Sequence, residues 1–193
     1  MKKISFKISL LVSVAACVAF SFAAIFSNTD GSRISAAARP SATPAKAVAA
    51  TRALEFTDGE FDGKELIKTD AEWKKELSGP AYYILRQAGT ERPYTSRLNG
   101  NKKAGTYYCD ACGLALFSSK AKFESGTGWP SFYEPIFKKN VIEVSDKTLS
   151  EERIEVDCAR CHSHLGHVFD DGPKPTGLRY CMNGDGLRFK AAQ

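Results

Sequence analysis

The chain has 193 residues, 43% of them hydrophobic and 25% charged, the proportions of one ordinary globular domain with or without an appendage. Its formal charge of +5 does not mark a nucleic-acid binder. Six of the 27 Lys and Arg and one of the 22 Asp and Glu fall within residues 1–50, so 21 of each remain beyond them and the domain itself is neutral.

Lys2, Lys3 and Lys7 precede residues 8–26, a run of 19 residues without a charge. A basic start followed by an apolar stretch reads as an export signal or a membrane anchor over residues 1–26. Three outcomes stay open: cleavage after Ala23 or Ala24, lipidation of Cys17 in the Val14-Ala15-Ala16-Cys17 box, or retention as an anchor. Each places the domain outside the cytosol, in the periplasm or cell envelope, touching membrane only through this segment. Residues 27–62 are expected to be a disordered Ala/Ser/Pro linker, too poor in large apolar side chains to offset chain entropy. The domain is expected over 63–193.

Thr69-Asp70-Ala71-Glu72 has the form of a capping box, with Trp73 and Leu77 four apart on one helix face. Gly79-Pro80 stops that helix, and a second short one starts at Pro80. Strand-like runs follow at 106–108, 114–117, 141–144 and 153–157, separated by turn residues such as Asn99-Gly100 and Asn183-Gly184. The expectation is a mainly β domain of antiparallel strands behind short N-terminal helices.

Cys109-Asp110-Ala111-Cys112 and Cys158-Ala159-Arg160-Cys161 are two C-x-x-C pairs with 45 residues between them. Each such turn places two thiolates on one side of a knuckle, and two knuckles make a tetrahedral four-sulfur site suited to one structural zinc per chain. Two disulfides, or a redox-active pair of thioredoxin type, are the alternatives. No alternating strand-helix-strand pattern supports the latter.

Cys181 is the thiol left over in the domain. All three histidines, His162, His164 and His167, fall within six residues, and Arg179 stands two residues before the cysteine. A cation near a thiol lowers its pKa, and imidazoles beside it supply acid/base or orienting groups. Cys181 therefore reads as a nucleophile, with an inert core cysteine as the bland alternative.

Seven segments taken together resemble the B-type methionine sulfoxide reductases over residues 63–190. They are G-T-E-R-P-Y (89–94), the two C-x-x-C pairs, E-S-G-T-G-W-P-S-F (124–132), H-S-H-L-G-H-V-F (162–169), G-P-K-P-T-G (172–177) and R-Y-C-M-N (179–183). The resemblance implies two antiparallel β-sheets, with zinc held by Cys109, Cys112, Cys158 and Cys161 away from the reacting centre. It implies reduction of the R epimer of methionine sulfoxide, in proteins and as the free amino acid. Cys181 would attack the sulfoxide sulfur, and His164 and His167 would protonate the oxygen or orient a water. Asn183 would fix the polar side of the site, Trp129 would face the S-methyl group, and Arg179 would support the cysteine or substrate.

One position departs from the pattern. Many members of that family carry a resolving cysteine in the S-G-C-G-W-P loop, where this chain has Thr127. The Cys181 sulfenic acid is therefore expected to be reduced by an external thiol: a thioredoxin-like or glutaredoxin-like protein, or a small thiol. A zinc-ribbon-like binding module and a general thiol–disulfide oxidoreductase are the competing functions.

Overall fold

A computed structural model describes residues 54–193, and the expected signal segment, Cys17 and residues 27–53 lie outside the described residues. In chain order the elements are α1 (Asp70–Glu76), α2 (Gly79–Gln87), β1 (Gly105–Cys109), β2 (Ala115–Ser118), β3 (Lys122–Phe123), β4 (Ser131–Phe132), β5 (Val141–Asp146), β6 (Arg153–Cys158), β7 (His164–Phe169), β8 (Arg179–Met182) and β9 (Leu187–Ala191). Short 3₁₀ turns at Lys138–Asn140 and Gly184–Gly186 lead into β5 and β9. Among the described residues no helix is long and apolar enough to cross a membrane.

The helices form where the sequence signals them. The Thr69 hydroxyl accepts from Glu72 N–H, and the Glu72 carboxylate accepts from Thr69 N–H at 2.8 Å, closing the capping box. α1 ends at Glu76 with Leu77 as an extended C-cap, before the expected stop at Gly79-Pro80, which instead opens α2. Ser78 caps α2 by accepting from Ala81 N–H, and Pro80 occupies its first turn, where a missing N–H costs nothing. Ala88 closes α2 in the left-handed region at φ 50°.

The nine strands make two antiparallel sheets, as expected: β2-β1-β9, and β3-β4-β8-β7-β6-β5. Their aromatic side chains meet in one core. Phe117 of the small sheet stacks on Phe132 of the large one with ring centroids 4.5 Å apart, and Tyr107 meets Phe132 edge-on at 4.9 Å. All three rings are fully buried. Such pairs add about 0.5–1.5 kcal/mol beyond the area they remove from water. Trp73 and Ile84 bring the helices into the same core.

The packed domain begins before residue 63. Thr57 forms a parallel bridge beside Leu114, its N–H donating to Gly113 O and its carbonyl accepting from Ala115 N–H, each at 2.9 Å, and Phe61 N–H donates to the buried Asn140 Oδ1 at 2.8 Å. Asn140 Nδ2 in turn donates to Gly59 and Ala115 carbonyls. Residues 54–62, assigned to the linker by composition, are therefore docked on the domain. Phe61 packs against the core and the Phe56 ring centroid lies 4.5 Å from that of Tyr108, so apolar contacts and long-range backbone hydrogen bonds hold the segment together.

Candidate active site and metal centre

The two C-x-x-C turns are built alike. Gly113 N–H donates to Cys109 O and His162 N–H to Cys158 O, each at 2.9 Å. Gly113 has φ 76° and His162 φ 53°, the left-handed geometry that lets the chain double back. Cys109 ends β1 and Cys158 ends β6, so the knuckles join one sheet to the other. The four buried sulfurs lie within 4.8 Å of one another, with Cys109–Cys161 at 3.7 Å and Cys112–Cys158 at 3.5 Å. A tetrahedron with metal–sulfur bonds of about 2.3 Å has edges of about 3.8 Å. The other three thiols, then burial, push Cys109 well up, and burial pushes Cys158 well up. Hydrogen bonds from Cys109, Cys112 and Cys158 pull Cys161 far down. Buried sulfurs this close ionise together only around a cation, so the four cysteines form a site that could hold a metal ion. Arg86 of α2 supports the second knuckle by donating to Cys161 O at 3.0 Å.

His162 belongs to this knuckle rather than to the other two histidines. It sits within 3.2 Å of Glu65 at the surface.

Cys181 lies at the centre of the large sheet. Ser131 on β4 and His167 on β7 are its direct partners across the ladders, and Glu155 on β6 lies opposite His167. Directly opposed side chains share a face, so Ser131, Cys181, His167 and Glu155 form one row. His164, three residues before His167, would fall on the other face of a regular strand. A β-bulge prevents this: Val156 pairs with Gly166 and Asp157 with His164, leaving Leu165 as the extra residue. The two imidazoles meet edge to face with centroids 5.5 Å apart.

Each ring is fixed by a carboxylate. His164 Nδ1 is 2.5 Å from Glu155 Oε1, and His167 Nε2 is 2.9 Å from Asp146 Oδ2. An ionised carboxylate only accepts, so these nitrogens are the donors, and in the neutral rings the lone pairs fall on His164 Nε2 and His167 Nδ1. His164 Nε2 is buried without a protein partner. Burial holds the His164 pKa below its ordinary value, against the opposing pull of Glu155. Asp146 is held far below the usual carboxylate range by Thr148, His167 and Arg153, the last at 2.6 Å.

Arg179 forms a two-pronged ion pair with Asp171, at 2.7 and 2.9 Å, and covers the Phe169 ring at 4.3 Å. It stands on the same face of β8 as Cys181. Burial pushes the Cys181 thiol up, and Arg179, Thr127 and Ser131 only partly offset it. The cation expected to activate the thiol is thus present and acts in the expected direction, but desolvation is larger.

Asn183 is spent on backbone. Its Oδ1 accepts from Glu91 N–H at 3.0 Å, and its Nδ2 and main-chain N–H both donate to Leu165 O, at 3.1 and 2.9 Å. Trp129 is half-buried, and its indole N–H donates to Glu91 O at 3.2 Å. Glu91, which no local pattern singles out, also accepts from Gly184 and Asp185 N–H at 2.8 Å. It therefore ties Trp129, Asn183 and the turn after β8 together. Ser131, Glu155, Asp146 and Asp171 were missed as well. Each is an ordinary polar residue whose importance comes from strand register or a long loop return.

The fold and site define a class: a β domain that pairs a four-cysteine metal site with a separate thiol flanked by carboxylate-anchored histidines. The SelR domain model matches residues 77–191. The chain is 55% identical over 130 residues to peptide methionine sulfoxide reductase MsrB of Methanosarcina barkeri, covering 67% of this chain and 92% of that protein. It is 53% identical over 126 residues to the MsrB of Leptospira interrogans (65% and 96% covered), and 57% over 122 residues to that of Thiobacillus denitrificans (63% and 92%). The chain belongs to the SelR domain family.

Proposed function

We propose that the protein reduces methionine sulfoxide to methionine, acting on the R epimer in oxidised proteins and as the free amino acid. The observation that supports this most is the position of Cys181 beside His167 and Ser131, in a family whose relatives are peptide methionine sulfoxide reductases.

The Cys181 sulfur attacks the sulfoxide sulfur, the S=O bond breaks, and oxygen is transferred. The products are methionine and a Cys181 sulfenic acid, with the thiol proton retained in the S–OH group. His167 Nδ1, opposite Cys181, and His164 Nε2 carry lone pairs suited to taking the thiol proton and handing it to the sulfoxide oxygen. The half-buried Trp129 offers an apolar surface to the S-methyl group, while an imidazole that has taken the thiol proton offers a donor to oxygen. This difference between substituents is what separates the epimers. Arg179 steadies negative charge at the sulfur, and Asn183 holds the histidine strand in register.

Thr127, 3.9 Å from the Cys181 sulfur, has no thiol to form a disulfide. An external thiol then attacks the sulfenic acid, releasing water and leaving a mixed disulfide, and a second thiol frees Cys181. Thioredoxin-like or glutaredoxin-like proteins and small thiols fit that role. The metal is a structural zinc, one per chain, which four thiolates would hold with no position open to substrate. Export to the periplasm or cell envelope through residues 1–26 completes the reading.

The test is an assay of resolved R and S methionine sulfoxide with dithiothreitol, using wild type and Cys181→Ser, with bound zinc measured in parallel. Turnover of R alone, abolished in the variant while zinc is retained, is the expected result. Equal activity in Cys181→Ser, or turnover of S, contradicts the reading.

A further inference from the structure

We propose that Ser131, Ser125 and Thr127 form a relay of hydroxyl donors ending on the Cys181 sulfur, making them positioning residues that stabilise its ionised form. The inference rests on the reading of Cys181 as the nucleophile.

Ser131 Oγ donates to Ser125 Oγ at 2.8 Å, Ser125 Oγ lies 2.8 Å from Thr127 Oγ1, and Thr127 Oγ1 lies 3.9 Å from Cys181 Sγ. A hydroxyl has one proton to give. With Ser131 donating to Ser125, the chain runs Ser131 to Ser125 to Thr127 to sulfur, and each donation polarises the next. Thr127 N–H also donates to Ser125 Oγ, at 3.4 Å, adding a donor midway. The chain starts inside the sheet, where Ser131 is fully buried opposite Cys181. Its one proton has two acceptors within reach, Ser125 Oγ at 2.8 Å and the Trp129 carbonyl at 3.1 Å, and the shorter bond sets the direction of the relay.

Buried hydroxyls are costly unless they are used. A thiol gains little from a donor, whereas a thiolate accepts strongly, so the relay favours the ionised sulfur. Thr127 stands with Arg179 among the groups that pull Cys181 back from the upward push of burial. Thr127 is therefore the terminal donor of the relay as well as a missing second thiol.

The experiment measures iodoacetamide alkylation of Cys181 against pH by peptide mass spectrometry, on the full reduced, metal-loaded chain. No sulfoxide is present, so the result stands apart from whether the protein reduces it. Thr127→Val and Ser131→Ala should each raise the alkylation midpoint by about one pH unit, an approximately tenfold slower reaction below it. Thr127→Ser should restore the wild-type profile. Unchanged profiles in both variants with metal retained overturn the relay, as does a shift in Thr127→Ser equal to that in Thr127→Val. Should Ser131→Ala lose its metal, Thr127→Val decides alone, since Thr127 is a half-buried loop residue.

Discussion

Asn183 grips the carbonyl of Leu165 twice, through its main-chain N–H at 2.9 Å and its side-chain amide at 3.1 Å. Leu165 is the extra residue of the bulge in β7. An extra strand residue loses its place in the hydrogen-bond ladder, and its backbone must find another partner. Asn183 supplies that partner and thereby keeps His164 and His167 on the face of Cys181.

Asn183→Ala should leave Leu165 O with one donor fewer and Glu91 N–H without its acceptor. The expected loss is about 2 kcal/mol of stability, the scale of unsatisfied buried groups. Because the bulge then relaxes, kcat should fall more than KM rises. Denaturant unfolding and steady-state kinetics check both, and a variant with wild-type kcat contradicts this role.

Gly166 pairs with Met182 one residue beyond the nucleophile, and a Cβ there would sit 2.1 Å from Cys181 O. Backbone cannot yield that distance, so Gly166→Ala should destabilise by about 3 kcal/mol, the upper range for overpacking. A thermal melt indistinguishable from wild type would show that β7 and β8 are less closely apposed.

Burial raises the Cys181 pKa. A raised thiol pKa means less thiolate at neutral pH, and reactivity that climbs as pH passes above the ordinary thiol range. Wild-type alkylation should follow this profile. Arg179→Met, which removes the nearest cation, should move it further up. A thiolate already formed at pH 6 would refute the dominance of desolvation.

The four cysteines that could hold a metal come from both sheets, so removing a metal bound there should free β1 from β6. A four-thiolate site contributes on the order of 10 kcal/mol to folding at neutral pH. Chelation, or Cys161→Ser, should lower the melting temperature sharply with loss of one equivalent of metal. A metal-free chain that melts unchanged contradicts a structural role.

What could be read from the residues divides by distance along the chain. The capping box at Thr69, the C-x-x-C pairs and the strands at 141–144 and 153–157 are local patterns, and each stands where the pattern placed it. β7 gave no such signal, because Gly166 and two histidines interrupt the apolar alternation and the bulge breaks its period. The partners of the imidazoles are equally hidden. Asp146 reaches His167 across 21 residues and Glu91 reaches Asn183 across 92, contacts that only sheet register and loop return create. Docking of residues 54–62 is invisible for the same reason, since its partners, Gly113, Ala115, Tyr108 and Asn140, are all distant in sequence.

Thr127→Cys places a thiol in the loop that approaches the Cys181 sulfur to 3.9 Å in wild type. After reaction with methionine sulfoxide and no reductant, this variant should form an intramolecular disulfide. Non-reducing peptide mapping detects it, and a persistent sulfenic acid in the variant would show that the loop cannot close on Cys181.

The central claim is that the Cys181 sulfur takes the oxygen. A single turnover of wild type with methionine R-sulfoxide and no reductant, read by mass spectrometry with a sulfenic-acid trap, tests it most directly. One methionine released per chain, one oxygen on the Cys181 peptide and no disulfide is the predicted result. Methionine released with Cys181 unmodified, or with an oxidised metal-site cysteine in its place, would contradict it.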